Sequence, residues 1–195
     1  MSRSNWKEYE KRICERLGYL FFGVTKPKGA RIDRDCPLCR AAASGAHQSC
    51  IRPGDVVPNG LWIREGRLTH LEDFPFVIEV KDTKDSFKPE ALLTAKKSGF
   101  FSQWDQTVRQ AKDFKETAIP TLVINKPATT HDFVAVDHAL FHLYGRDTVM
   151  PKNRLYLTVE REFSKENISI FLLGDFIEAN EFHPFKYMVR SSDGK

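Results

Sequence analysis

The chain predicts an α/β fold in which a central mixed β-sheet is flanked by helices. Three observations predict it. An amphipathic helix opens the sequence. Short apolar runs bounded by Gly, Pro and charged residues follow at strand length. A second amphipathic helix then leads into the Pro-led apolar run Thr121-Leu122-Val123-Ile124. Helix, several strands, helix, strand is the order of a layered α/β domain. At 195 residues the chain reads as one domain over 1–195, long enough to bury its own core, with a small insert at 31–52.

The first helix is expected over Asn5 to Leu17, capped by Ser4 or Asn5 and stopped by Gly18. Trp6, Ile13 and Leu17, with Tyr9 beside them, form its apolar stripe. Phe21 to Lys28 reads as a strand. Residues 32–52 break periodicity and hold three of the four cysteines. Asp55 to Ile63 and Leu68 to Leu71 read as strands around the turn Arg64-Glu65-Gly66-Arg67. Phe76 to Lys81 is the expected central strand, and 82–99 is polar and loop-like with helical turns. Phe101 to Thr117 is a helix with Trp104, Thr107, Val108, Ala111 and Phe114 inward. Strands are expected at 121–124, 132–136 and twice within 155–173, before a frayed C-terminal tail.

Composition excludes some function classes. Apolar residues make up 41% and charged residues 29%, as in an ordinary globular chain. No apolar run approaches ~18 residues and the first twenty are rich in charge, so neither a membrane span nor a signal peptide is expected. A cytoplasmic setting follows as an expectation. Residues 1–54 hold eleven Lys/Arg against five Asp/Glu, and 55–195 hold nineteen against twenty-one. The basic front half is compatible with a phosphate backbone, and equally with a solvated surface.

The most informative stretch is Phe76-Val77-Ile78-Glu79-Val80-Lys81. Alternation sends Phe76, Ile78 and Val80 one way, and Val77, Glu79 and Lys81 the other. A buried strand thus carries a carboxylate and an amine where apolar residues belong. Arg52-Pro53-Gly54-Asp55 brings a second acid to the mouth of another strand-like run. Asp55 and Glu79 together could hold a divalent cation, with the Val80 carbonyl as third ligand and Lys81 orienting water or offsetting charge. A surface ion pair between Glu79 and Lys81, and a turn closed by Asp55, are the plainer alternatives.

The ordered series of acid-bearing helix, Pro53-Gly54-Asp55, Glu79-Val80-Lys81, Gln-rich helix and Pro-led strand resembles the PD-(D/E)XK nuclease superfamily. Within it, the series is similar to small phage and archaeal Holliday-junction-resolvase-like endonucleases. The resemblance spans about residues 6–137, with the Pro-Asp dipeptide interrupted by Gly54. It implies a restriction-endonuclease-like core, Mg²⁺ or Mn²⁺ as cofactor, and DNA as partner, with a homodimer as one option. A bacterial, archaeal or phage-infected cell as the setting is likewise only what the resemblance implies. It also implies a metal-completing glutamate on the first helix. Glu10 matches, three, four and seven residues before Ile13, Cys14 and Leu17 on the inward stripe. Glu8 is the alternative, better explained by a surface pair. Gln103 matches the glutamine that many members place against the site; Gln106 points further outward.

Cys36-Pro37-Leu38-Cys39 followed by His47-Gln48-Ser49-Cys50 offers three thiolates and an imidazole, a set suited to a closed, structural Zn²⁺ site. Disulfides or unrelated thiols are the alternatives, the former disfavoured without a secretory signal. Cys14, on a helix, reads as a buried apolar residue. Arg31, Arg34 and Arg40 flank the loop, as does Arg52, and could touch phosphates. The leading expectation is therefore a metal-dependent DNA endonuclease, with junction or branched DNA as one substrate option. The rival is a zinc-bearing nucleic-acid-binding protein with an inactive nuclease-like core.

Overall fold

The computed structural model describes residues 3–41, 52–68, 74–82, 99–125, 131–139, 157–161 and 166–179. Helix α1 (Arg3–Phe21) leads through a short α2 (Ile32–Asp35) into strands β1 (Leu38–Arg40) and β2 (Val56–Pro58). One turn of helix, α3 (Gly60–Arg64), precedes the central strand β3 (Phe76–Asp82). Helix α4 (Gly99–Phe114) returns the chain to β4 (Ile119–Asn125), followed by β5 (Asp132–Asp137), β6 (Leu157–Arg161), β7 (Glu166–Leu172) and α5 (Leu173–Ala179).

The strands form one seven-stranded sheet in the order β1-β2-β3-β4-β5-β7-β6. Among the described strands, only β3 and β4 run parallel, in register from Phe76↔Ile119 to Asp82↔Asn125. The other pairs are antiparallel, so the sheet is mixed, as the sequence predicts. A parallel pair needs a crossover, which α4 provides.

Alternation sorts the core into two faces. Ile13, Leu17 and Phe21 of α1 pack with Phe76, Ile78, Val80, Val123 and Val134 on one side. Phe100, Trp104 and Val108 of α4 pack with Leu122, Ile124, Ala135 and Ile168 on the other. Every residue of β4 is buried, which explains its unbroken apolar run: helices cover both faces.

Four expectations about elements are corrected. Gly18 does not stop the first helix. A Cβ there would meet Cys36 Sγ at 2.5 Å, so this glycine allows close packing and α1 runs on. The helix ends instead at Gly23 (φ 60), where Val24 N–H reaches back to Tyr19 O at 2.9 Å, the long bond of a Schellman motif. Phe21 is therefore helical, continuing the Ile13, Leu17 stripe at four-residue spacing, and 21–28 is not a strand. The expected strand 55–63 breaks after Pro58, because Asn59 accepts from Leu61 N–H at 2.9 Å and caps α3. Residues 32–40, read as aperiodic, supply α2 and an edge strand. Residues 69–73, 83–98 and the C-terminal tail lie outside the described residues.

Candidate active site

Strand β2 touches β3 at one paired position, Val56↔Ile78, and Asp55 sits where the two separate. Its N–H donates to Ile78 O at 2.8 Å, and its carbonyl accepts from Ala41 N–H at 2.9 Å. Gly54 makes this approach feasible: its φ is +106, and a Cβ would lie 2.8 Å from Ile78 O. The glycine that interrupts the Pro-Asp dipeptide thus brings the chain against β3. With the backbone ladder ended, the side chain takes over. Asp55 Oδ2 accepts from Val80 N–H at 2.9 Å, so the carboxylate expected at the site also ties this turn to β3.

Glu79 and Lys81 lie on the α4 face, beside Leu122 and Ile124 of β4 in register. Glu79 is buried and accepts from Lys81 Nζ at 2.7 Å. Lys81 Nζ also lies 3.8 Å from Asp55 Oδ2, and the Asp55 and Glu79 carboxyls are within hydrogen-bond reach of each other. Burial first, then the Asp55 charge, pushes the Glu79 pKa up against the pull of Lys81. Burial disfavours the Lys81 cation, but its bond to Glu79 and the charges of Glu79, Asp55 and Glu10 outweigh that and raise its pKa.

Glu10 reaches the same place from α1. Its side chain is fully buried, whereas that of Glu8 is 74% exposed and pairs with Lys11. Glu10 Oε2 accepts from Arg40 Nε, and Oε1 is buried without a close hydrogen-bond partner among the described residues. Burial raises the Glu10 pKa, more than Arg40 lowers it, with Asp55 adding a further upward push. Arg40, expected at the flank for phosphates, therefore faces inward and neutralises Glu10. No spacing signal could have revealed this, because the partners are thirty residues apart on different elements.

Gln103 lies on the first turns of α4. That end of the helix packs through Phe100 and Trp104 over Leu122 and Ile124, while Ala111 packs on Val77. Gln103 is thus at the sheet end carrying Glu79 and Lys81, with its Oε1 buried and unpartnered among the described residues. Gln106 is exposed. Arg31 and Arg34 are exposed around α2, Arg34 donating to Asp35 Oδ1 at 2.9 Å. Arg52 is taken up internally: it donates to Phe74 O and Phe76 O, and its guanidinium lies over the Phe74 and Phe114 rings. Burial pulls its pKa down to about 10.

The donors at Asp55 and Glu79 are hard carboxylate oxygens in mutual contact, a fit for Mg²⁺ or Mn²⁺, which bind through one or two carboxylates and keep waters. Among the described residues, no group of three or more His, Cys, Asp or Glu could hold a metal ion; Glu10 is engaged by Arg40. For zinc, two of the four expected ligands are described. Cys36 is buried with its thiol donating to Cys14 O at 3.3 Å, and burial pushes that thiol up to about 12. Cys39 is partly buried beside Pro58 O, its pKa raised by burial. His47 and Cys50 lie outside the described residues.

No helix of the described residues is long and apolar enough to cross a membrane. Neither a curated protein nor a solved structure matches the chain. A family model described as "Phage putative PDDEXK endonuclease" matches residues 35–186. The matched segment holds Asp55, Glu79 and Lys81 and begins after α1 with its Glu10. The chain therefore belongs to this phage PDDEXK endonuclease family, within the PD-(D/E)XK nuclease superfamily.

Proposed function

We propose that the protein is a divalent-metal-dependent DNA endonuclease whose reaction centre is Asp55, Glu79 and Lys81. The observation that carries this reading is two buried carboxylates in contact with each other and with a single amine, at the point where β2 and β3 separate. Two acids held this close cost folding energy unless a cation or a proton sits between them. Asp55, Glu79 and the Val80 carbonyl would hold Mg²⁺ or Mn²⁺. The bound ion would supply Lewis acidity toward a phosphoryl oxygen and a more acidic water.

In the hydrolysis, a water oxygen forms a new bond to phosphorus while one bridging P–O ester bond breaks. A phosphate monoester and an alcohol result. Lys81 stands where it can hold the attacking water or meet charge developing on the phosphate. Glu10 supplies a further carboxylate from α1, and Gln103 an amide from α4. Junction or branched DNA is one substrate option within this reading. The test is plasmid nicking with Mg²⁺ or Mn²⁺ and with chelator, on supercoiled, linear and branched DNA. Metal-dependent nicking is expected; DNA binding without cleavage under any divalent metal would support an inactive core instead. A structural Zn²⁺ on Cys36, Cys39, His47 and Cys50 belongs to the same proposal. Elemental analysis of protein purified without added metal should find one zinc per chain, lost in Cys39→Ser; a folded, zinc-free protein would refute it.

A further inference from the structure

We propose that Arg40 withholds Glu10 from the divalent ion, leaving Asp55 and Glu79 as its only side-chain ligands, and that the Glu10–Arg40 pair positions Asp55 from behind. The inference rests on the nuclease reading and deepens it by assigning a role to the carboxylate from α1. That role departs from the metal-completing part that the family resemblance gives to Glu10.

The two faces of the sheet separate these groups. Arg40 pairs with Val56, and cross-strand partners point to the same side of a sheet. Val56 packs in the α1-side core with Ile13, Leu17 and Ile78. Arg40 therefore projects toward α1, where Glu10 accepts from its Nε. Glu79 and Lys81 alternate with Ile78 and Val80 and project toward α4. Asp55 lies between the two groups, its carboxylate tied to Val80 N–H at 2.9 Å. Its charge acts on Glu10 and on Glu79 alike. Yet among the described residues no three acids stand close enough to hold one ion together. Mg²⁺ takes oxygen ligands only at about 2.0–2.1 Å, so a carboxylate felt through charge alone is no ligand.

What holds Glu10 back is its own partner. Its carboxylate is fully buried and Arg40 is 24% exposed, so removing either charge leaves the other poorly compensated. A guanidinium stays protonated at any working pH, and a divalent ion must compete with this resident cation for Glu10. The pair also reaches Asp55 through the backbone. Ala41, the residue after Arg40, donates its N–H to the Asp55 carbonyl at 2.9 Å. The ion pair seats β1 on α1, and β1 in turn fixes the main chain of Asp55.

The experiment titrates the full chain with Mn²⁺ in the absence of DNA and reads free Mn²⁺ by electron paramagnetic resonance. Glu79→Gln, which removes a direct charged ligand, should weaken binding on the order of thirtyfold or more. Glu10→Gln, felt only through charge, should weaken it by about threefold at most. Arg40→Met should tighten binding by about tenfold, because the freed carboxylate can turn to the ion, and most of that gain should vanish when Glu10→Gln is added. A charge acting at a distance would give no such coupling. Circular dichroism checks that each variant is folded, and the Glu10→Gln result decides alone if Arg40→Met is not. A loss in Glu10→Gln as large as that in Glu79→Gln makes Glu10 a ligand and overturns the proposal. So does an equal effect of Arg40→Met with and without the Glu10 carboxylate. Absence of Mn²⁺ binding by wild type, or binding indifferent to Glu79→Gln, overturns the nuclease reading on which the proposal rests.

Discussion

Glu79 is held under opposing demands. Burial and the Asp55 carboxylate favour its protonated form, while Lys81 favours the ionised one, and the balance raises its pKa. An acid whose folded pKa lies above its unfolded value costs stability once it must ionise. The cost is absent below the unfolded glutamate range, grows as pH rises and is complete above the folded pKa. Without divalent metal, Glu79→Gln should therefore melt higher than wild type at neutral pH, by roughly 1 kcal/mol. The gap should close as pH falls toward the free glutamate range, which thermal unfolding in chelator across pH would reveal. Cleavage should be lost in the same variant. Asp55 calls for a different substitution. Its Oδ2 satisfies Val80 N–H, so Asp55→Ala orphans a buried donor at a cost of about 1–3 kcal/mol. Asp55→Asn keeps an acceptor, and should remain folded while losing activity. Lys81→Ala should slow single-turnover cleavage and leave most DNA affinity, because an amine at the phosphate acts mainly as charge develops. A variant that lost affinity alone would make Glu79 and Lys81 a surface pair.

Elements were legible where one period governed them. Phe76 to Lys81 alternates cleanly because both faces of β3 meet different layers, and α4 shows its stripe in Trp104, Val108 and Ala111. Where two signals competed, the local one misled. Gly18 looks like a helix stop, yet its meaning is set by Cys36, which approaches from another element. Gly18→Ala should accordingly destabilise the fold by about 1–3 kcal/mol through overpacking, although alanine is the better helix former. Urea unfolding would measure this; a neutral or stabilising result would mean that α1 and β1 can part without penalty. Partnerships across the sequence were not legible at all. Glu10 with Arg40, and Tyr9 with Asp132 at a separation of 123 residues, exist only once α1 lies across the sheet. The sequence offered the acids and the lysine; it could not say which arginine faces inward.

At the scale of the molecule, the proposed reaction centre draws on α1, β1, β2 and β3, with α4 at its rim, so helices on both faces of one sheet would converge on its acids. Divalent metal should therefore govern activity without governing the fold: a mild chelator should stop cleavage reversibly while circular dichroism stays unchanged. Replacing Arg31 or Arg34 should weaken DNA binding and flatten its salt dependence by up to about one unit per lost phosphate contact. A last consequence follows from Arg52. Its guanidinium clamps the carbonyls at the start of β3 between two aromatic rings, while Ala41 is tied to the Asp55 carbonyl. The chain thus leaves the sheet at residue 41 and re-enters it at 52 through two fixed mounts. What is inserted between such mounts can be exchanged or lengthened at a cost that grows only slowly with length. Apart from the proposed zinc ligands His47 and Cys50, that span should therefore accept substitution while Asp55 and Glu79 keep their alignment, with unchanged thermal unfolding as the readout.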